Sequence, residues 1–248
     1  MAAHYACADA TIVRKLRDAG AVILGKTNLT ELSNYMSLHM KNGYSSHGGQ
    51  TKSPYNPTGD VCGSSSGSAV AVSANLCAVA IGTETCGSIL GPAIHNGIVG
   101  IKPTHGLVSR TGIVPICTAQ DTAGSLARNV KDAAVLLNAI CAEDPEDPAT
   151  WHTAQYHKDY ATGLGQIDIS KLRIGVSHSW DGHWSKEQLA LADAALRKFS
   201  TAGVQFVNSL EKIDNAFPCS DLDYAVMFYE FKACINAYLA SNNCPVQS

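Results

Sequence analysis

CGSSSGSAVAVSANLCAVAIGTETCGS, residues 62–88, joins two glycine- and serine-rich turns through a run of small apolar residues. The run at 69–82 is too short to cross a bilayer and is best interpreted as a buried helix followed by a short strand. Ser64 in the first turn and Ser88 in the second lie 24 residues apart in the sequence. Glycines beside each serine leave the hydroxyls unshielded, and successive free N–H groups there suit an oxyanion. Turns of this composition are more often plain loops, so a structural and a catalytic interpretation both stay open.

The segments on either side alternate between helical and strand patterns. Residues 8–19 form an amphipathic pattern that Gly20 ends, and AVIL at 21–24 then reads as a buried strand. Residues 39–68 are dense in Gly, Ser, Asn and Pro, which predicts a long loop with a functional role. Further helices are expected at 130–140, 185–203 and in YEFKACINAYLA near the end, and further strands at 98–104, 172–177 and 204–209. This alternation predicts an α/β/α sandwich around a mixed β-sheet, formed as a single domain over residues 1–248.

Composition excludes several classes of function. The 248 residues are 46% hydrophobic and 16% charged, which is typical of a globular protein. The net charge of -3 offers no electrostatic basis for binding nucleic acid or an anionic membrane, and no stretch is apolar enough to span a membrane. The nine cysteines include no CxxC, and the histidines include no HxH or HExxH. We therefore expect no metal, no disulfide framework and a reducing, cytoplasmic location.

Three segments together resemble the amidase signature family. They are LRDAGAVILGKTNLTELS at 16–33, residues 63–115 from GSSSGS to GIVP, and QDTAGSLARNVKDAA at 120–134. The resemblance is close over residues 8–140, is nearest to fungal and bacterial amidases, and implies a family domain truncated at both ends. It implies an α/β fold, hydrolysis of a small carboxylic amide, and no metal or organic cofactor. An ester substrate stays open, and substrate-binding residues are unknown.

The resemblance also implies the roles of particular residues. The family uses a Ser–cisSer–Lys triad, in which Ser88 falls on the nucleophile and Ser64 on the bridging serine that follows a cis peptide bond. The oxyanion would be held by the backbone N–H groups of Thr85, Cys86, Gly87 and Ser88. In this mechanism a neutral lysine draws a proton from Ser64, Ser64 draws one from Ser88, and an acyl-enzyme forms.

The chain departs from the family pattern at three points. No segment carries the family's lysine, which lies upstream of the 16–33 segment in relatives. Cys86 stands where Asp or Gly is usual, and Ser66 replaces a glycine, which would be costly if that position needs a positive φ. Lys26, Lys52 and Lys102 are poor substitutes for the base, since Lys26 and Lys102 match positions of other function and Lys52 lies in a loop. Asp121 and Arg128 are expected to hold the loops around the site.

Two hypotheses follow from the missing lysine. The first is an amidase whose base is supplied by a partner chain or lies in a segment absent from this sequence, with dimerisation through the truncated region. The second is an inactive amidase-like remnant that serves as a binding or scaffold protein. Cys86 as the nucleophile is a weaker alternative, because no histidine partner can be identified for it.

Overall fold

The computed structural model describes residues 6–37, 39–177, 184–207 and 219–246. The chain divides into two compact units, Met1–Thr162 with Val226–Ser248, and Gly163–Ala225. The helices are α1 (Thr11–Asp18), α2 (Ser66–Ser73), α3 (Leu90–His95), α4 (Val130–Ile140), α5 (Lys186–Thr201) and α6 (Cys219–Ser241). The strands are β1 (Tyr44–Ser45), β2 (Gly49–Gln50), β3 (Val79–Glu84), β4 (Val99–Ile101), β5 (Thr122–Ala127), β6 (Arg173–Gly175) and β7 (Gln205–Val207). Short 3-10 turns occur at Glu31–Asn34, Pro148–Thr150, Thr153–Gln155 and Ile169–Lys171.

Strand β5 is the centre of the first unit. It pairs antiparallel with β3 on one side and with β4 on the other, so that Ser125 lies opposite both Ile81 and Ile101. All six residues of β5 are buried. A Cβ on Gly124 would lie 2.1 Å from the backbone oxygen of Ile101, so only glycine fits there. The sequence did not predict β5, because its residues are small and lack the alternation that marks a strand.

Helices pack on both faces of this sheet. Ala123 of β5 belongs to a buried cluster that includes Ile12 of α1 and Leu137 of α4. Leu126 belongs to a second cluster, with Val72 of α2 and Ala93 of α3. Residues 123 and 126 point to opposite faces, because side chains alternate along a strand. The α/β class and the layered arrangement expected from the sequence are confirmed for this unit.

Helix α1 confirms one sequence prediction, and the segment after it contradicts another. Ile12 and Leu16 are buried one turn apart, and Gly20, with φ +81°, ends the helix. The strand expected at 21–24 is wrong: these residues pair with no strand, and Val22 is 83% exposed. An apolar run predicts a buried strand only where a partner strand exists, and the described residues provide none for this segment.

The remaining predictions for the first unit give the correct kind of element, whether helix, strand or loop. Residues 69–82 form most of buried α2 and the start of β3, and β4 lies within 98–104. The 39–68 segment is mainly loop with the small β1–β2 hairpin, although α2 already begins at Ser66. Helix α4 spans the whole predicted range, and the side chain of its N-cap, Asn129, accepts a hydrogen bond from the backbone N–H of Asp132. No helix in the described part of the chain is long and apolar enough to cross a membrane.

The second unit contains a pair of parallel strands and the exposed helix α5. Strands β6 and β7 pair in parallel, with Ile174 opposite Phe206, and lie inside the two predicted strand segments; the end of the second segment, 208–209, lies outside the described residues. Helix α5 begins with a capping box between Ser185 and Gln188 and lies within the predicted helix at 185–203. None of its residues is fully buried. The expectation of one domain over 1–248 stays a prediction.

Candidate active site

The first serine turn has a distinctive backbone. The Gly63–Ser64 peptide bond is cis, as the family resemblance implies for the bridging serine. The Ser64 side chain is completely buried, and its hydroxyl oxygen has no hydrogen-bond partner among the described residues. A buried hydroxyl without a partner is uncommon in folded proteins and calls for an explanation.

The two serine turns are joined directly by Ser65. Its backbone N–H donates to the carbonyl oxygen of Ser88 at 3.1 Å. Its hydroxyl donates to the Thr83 carbonyl at 3.0 Å and accepts from the Thr83 N–H at 3.1 Å. The residue after Ser64 therefore bonds both to Ser88 and to the strand that leads into the second turn. The structure thus brings the turns of the two candidate residues together.

Asn28 fixes α2 against the upstream loop through neutral groups. Its carbonyl accepts from the backbone N–H of Gly67, and a Cβ on Gly67 would lie 2.5 Å from that oxygen. The Asn28 amide donates to the Gly49 carbonyl at 3.0 Å, and its side-chain oxygen accepts from the Ser45 hydroxyl at 2.6 Å. Thr27 and Ser68 share a further hydroxyl–hydroxyl bond of 2.7 Å. The glycine-rich composition of this region therefore serves close backbone packing.

The backbone conformation of Ser66 explains how serine can stand where the family pattern has glycine. It is the first residue of α2 and is not among the residues with positive φ, so serine carries no conformational penalty there. Its hydroxyl donates to the carbonyl of Cys62 at 2.7 Å. The positive φ lies instead at Cys62, with φ +57°.

The second turn presents Ser88 at its surface. The buried Glu84 carboxylate accepts from the backbone N–H groups of Ile89 at 2.6 Å and Leu90 at 3.0 Å, which fixes the start of α3. Ser88 is half-buried, while Cys86 and Gly87 are exposed, and Gly87 has φ +80°. Among the described residues, the N–H groups of Gly87 and Ser88 meet no backbone or side-chain acceptor. They are available for an external oxygen, as an oxyanion site requires.

Asp121 connects this turn to a second loop. Its carboxylate accepts from the Thr85 hydroxyl at 2.5 Å and from the backbone N–H groups of Ile116 at 2.7 Å and Cys117 at 2.9 Å. Arg128 donates to the carbonyls of Val72 and Cys77 at 3.1 and 2.8 Å. The expected role of holding the loops around the site is confirmed for Asp121. Arg128 instead holds the loop between α2 and β3, at the end of β3 opposite to the second serine turn.

A cavity of about 290 Å³ lies beside the second turn. It is lined by Thr85 but not by Ser64, Cys86, Gly87 or Ser88. Its other walls contain a polar side with carboxylates and one guanidinium, and an apolar side. These lining residues are Ser33, Thr83, Glu84, Arg110, Thr111, Ile113, Val114, Pro115, Ile116, Thr118, Asp121, Thr122, Glu146, Asp147 and Pro148. Apart from Asp121, sequence reasoning missed all of these lining residues, because loop residues that form a pocket wall show no periodic signal.

Arg110 fixes the polar side of the cavity. Its guanidinium binds the Asp147 carboxylate through two bonds, Nε–Oδ2 at 2.9 Å and NH2–Oδ1 at 2.5 Å, and it also donates to the Thr118 carbonyl. Burial alone would raise the pKa of Asp147, but the hydrogen bonds and charge of Arg110 hold that pKa below its usual value. The hydrogen bonds that Arg110 donates to Asp147 in turn raise the pKa of Arg110. Both groups are therefore charged and mutually satisfied at neutral pH.

The lysines considered as substitutes for the family base are placed elsewhere. Lys26, Lys52 and Lys102 are all exposed. None of them bonds to Ser64, whose hydroxyl is unpartnered in the described part of the chain. Within the same described residues, no three His, Cys, Asp or Glu side chains come together as ligands of a metal ion would.

Comparison with known proteins identifies the family. The family model described as Amidase matches residues 1–247. A probable amidase of Arabidopsis thaliana is 40% identical over 239 residues, which covers 93% of this chain and 44% of that protein. A glutamyl-tRNA(Gln) amidotransferase subunit of Methanococcus maripaludis is 37% identical over 231 residues, with coverage of 93% and 50%.

Solved structures agree with this match. The peptide amidase of Stenotrophomonas maltophilia is 44% identical, with a TM-score of 0.85 and coverage of 97% of this chain and 49% of that one. An amidase family protein of Bacillus anthracis is 38% identical, with a TM-score of 0.85 and coverage of 98% and 48%. The chain thus spans about half the length of the relatives it matches. Its sequence, its fold and the geometry of its serine turns show that it belongs to the amidase family.

Proposed function

We propose that this chain carries the nucleophilic part of an amidase that hydrolyses small carboxylic amides. Ser88 attacks the amide carbonyl while its proton passes to Ser64, and Ser64 passes its own proton to a base outside the described residues. The tetrahedral intermediate then breaks its C–N bond, the amine takes up that proton and leaves, and water hydrolyses the acyl-enzyme that remains. The backbone N–H groups of Thr85, Cys86, Gly87 and Ser88 hold the oxyanion. The observation that carries the proposal is the direct bonding of the two serine turns through Ser65.

The buried Ser64 hydroxyl gives further support. A hydroxyl that is completely buried and unpartnered among the described residues is costly in a merely structural loop, because desolvation is not repaid. The same hydroxyl suits a proton relay, which must both donate and accept during the reaction. The proposal assigns the base to none of Lys26, Lys52 and Lys102, since all three are exposed.

We propose a small amide as the partner of this site, rather than a nucleic acid, because the net charge is -3 and the cavity holds about 290 Å³. The eight cysteines whose side chains the structure describes are free thiols, which fits a reducing cytoplasm. The relationship to one component of an amidotransferase favours a partner chain or a dimer that completes the site.

A second candidate is a non-catalytic protein that kept the amidase scaffold. The observation that favours it is again Ser64, because no base contacts its hydroxyl within the described residues. Such a protein would bind an amide in the cavity without activating Ser88.

Intact mass after exposure to a fluorophosphonate separates the two candidates. We expect one adduct on the unaltered chain and on the control Cys86→Ala, and none on Ser88→Ala. Ser64→Ala is expected to label more than about 100-fold more slowly, because general base catalysis is worth 10²–10⁴-fold. A folded protein that takes up no label would reject an activated Ser88 in this chain or its dimer and support the binding protein; an adduct lost in Cys86→Ala would move the nucleophile to the thiol.

A further inference from the structure

The Glu230 side chain connects helix α6 to the cavity beside the serine turns. Its oxygen Oε2 accepts from the backbone N–H of Thr118 at 2.7 Å and from the Thr118 hydroxyl at 2.8 Å. Thr118 lies 112 residues earlier in the sequence and lines the cavity. The reaction proposed above gives Glu230 no role, so this long-range contact calls for an explanation of its own.

Thr118 belongs to a short loop that joins this contact to the second serine turn. We call residues 116–121 the wall loop, because Ile116, Thr118 and Asp121 all line the cavity. At the end of the wall loop, the Asp121 carboxylate accepts from the hydroxyl of Thr85 at 2.5 Å. The position of the wall loop therefore sets the shape of the cavity next to the proposed oxyanion site.

Thr118 uses all of its polar groups in bonds to other parts of the chain. Its carbonyl accepts from the guanidinium of Arg110, which the Asp147 carboxylate holds in place. Both of its donors, the N–H and the hydroxyl, bond to Glu230. The bond from the Thr118 hydroxyl lowers the pKa of Glu230, so the acceptor is an ionised carboxylate at neutral pH. Without Glu230 the exposed Thr118 would turn its donors to water and lose its bonds to α6.

The turn of α6 that carries this carboxylate is packed against the same loop. Met227 is buried in a cluster with Ile116 and Cys117 of the wall loop. The ring of Phe231 packs edge-on against Tyr35, with centroids 4.6 Å apart. Apolar contacts thus hold this part of the helix in place, and the carboxylate adds directed bonds that fix the loop backbone.

We propose that Glu230 is a positioning residue that holds the wall loop in the conformation in which the cavity accepts the substrate. It acts on binding rather than on the chemical step, because its bonds end on Thr118, whereas Thr85 is held by the separate carboxylate of Asp121. A wall that is formed for only part of the time lowers the apparent affinity by that fraction. This inference rests on the function proposed above, because it takes the cavity as the substrate site of the Ser88 reaction.

Saturation kinetics of fluorophosphonate labelling separate binding from reaction. In Glu230→Ala we expect the half-saturating concentration to rise about fivefold and the maximal rate to stay within about twofold, the loss of bonds that are partly exposed to water. Glu230→Gln should return the half-saturating concentration to within about twofold of the unaltered chain, because its amide oxygen still accepts both bonds. The control on the same helix is Tyr229→Ala, whose side chain is 88% exposed and which should change neither value.

Glu230→Asp keeps the charge but withdraws the carboxylate by one methylene group, so its labelling should resemble that of Glu230→Ala. The melting temperature shows whether each variant is folded. A maximal rate that falls while the half-saturating concentration stays constant would overturn the assignment. A Glu230→Gln protein as impaired as Glu230→Ala would do the same, and so would loss of folding in both Glu230→Ala and Glu230→Asp, which would make the role purely structural.

Calorimetric titration of benzamide into Ser88→Ala, with and without Glu230→Ala, reports binding without reaction. If the unaltered chain takes up no fluorophosphonate yet Glu230→Ala weakens benzamide binding about fivefold, the role of Glu230 stands and an activated Ser88 is rejected. If labelling occurs and neither its half-saturating concentration nor benzamide binding depends on Glu230, the amidase proposal stands and the role of Glu230 is rejected. A chain that neither takes up label nor binds benzamide would reject both.

Discussion

The serine turns of the first unit and helix α5 of the second are both rich in small and apolar residues, yet their surroundings differ. Residues 64–69 are all buried, and Ser64, Ser65, Ser66 and Ser68 are at most 2% exposed. Helix α5 has sixteen residues and none is fully buried; Leu191 is 73% exposed. The comparison shows that a helix can be specified by local periodicity alone, whereas the serine turns exist only through contacts with distant segments.

The substitution with the largest expected effect on stability in this comparison is at Gly124 in the buried first unit. Its substitution by alanine would push a methyl group to 2.1 Å from the Ile101 backbone, and backbone cannot move aside as a side chain can. We expect Gly124→Ala to lose cooperative thermal unfolding altogether. Gly25→Ala is the matched control, since a Cβ there meets nothing within 4 Å. A Gly124→Ala protein with an unchanged melting temperature would contradict the tight packing of β5.

A pair of leucine substitutions compares the two regions directly. Leu126 is completely buried between α2 and α3, so Leu126→Ala should lower the free energy of unfolding by about 2–5 kcal/mol. Leu191→Ala on α5 should change it by less than about 0.5 kcal/mol, because exposed substitutions cost little. Urea denaturation measures both, and similar losses in the two variants would show that α5 is buried in solution.

The smallest of the three expected differences is in the loss of folding stability at low pH. Burial acts to raise the pKa of Asp144, but hydrogen bonds from Ser109 at 2.6 Å and Thr11 at 2.7 Å prevail and lower it to about 2 from the usual 3.8. A lowered pKa stabilises the fold above the unfolded value, and this stabilisation, on the order of 2 kcal/mol, is lost as pH falls from about 4 to about 2.

Asp144→Asn should remove that part of the pH dependence, because the amide does not titrate. Asp168→Asn in the second unit is the control: its pKa is also lowered, by bonds to Ser170 and Lys171, but the group is exposed. Thermal melting between pH 5 and pH 2 compares the variants. An Asp144→Asn protein that keeps the full acid sensitivity of the unaltered chain would exclude Asp144 as its source.

The elements that could be predicted from the sequence are those specified by local periodicity, and the elements that were missed depend on distant contacts. Helices α1, α4 and α5 could be predicted because their periodicity or caps lie within one segment. The meeting of the Ser64 turn with the Ser88 turn was expected only from the family resemblance, since nothing in two glycine–serine turns specifies where they come together. Strand β5 and the cavity wall at 113–116 were missed, because small residues and loops acquire their roles only from partners far along the chain. The wrong strand at 21–24 has the same cause, an apolar run without a partner.

The network around Asn28 has a consequence for the solvent conditions that the site tolerates. The groups of Thr27, Asn28, Ser45 and Ser68 that join in it are hydroxyls, amides and carbonyls without charge. Dissolved ions screen attraction between charges and leave bonds between neutral dipoles almost untouched. The mutual placement of the upstream loop and α2 is therefore expected to be insensitive to ionic strength. The Arg110–Asp147 pair at the cavity is charged, but its side chains are only 18% and 5% exposed, so dissolved ions screen it weakly. Raising the salt concentration is therefore expected to leave both the serine turn and the polar side of the cavity in place.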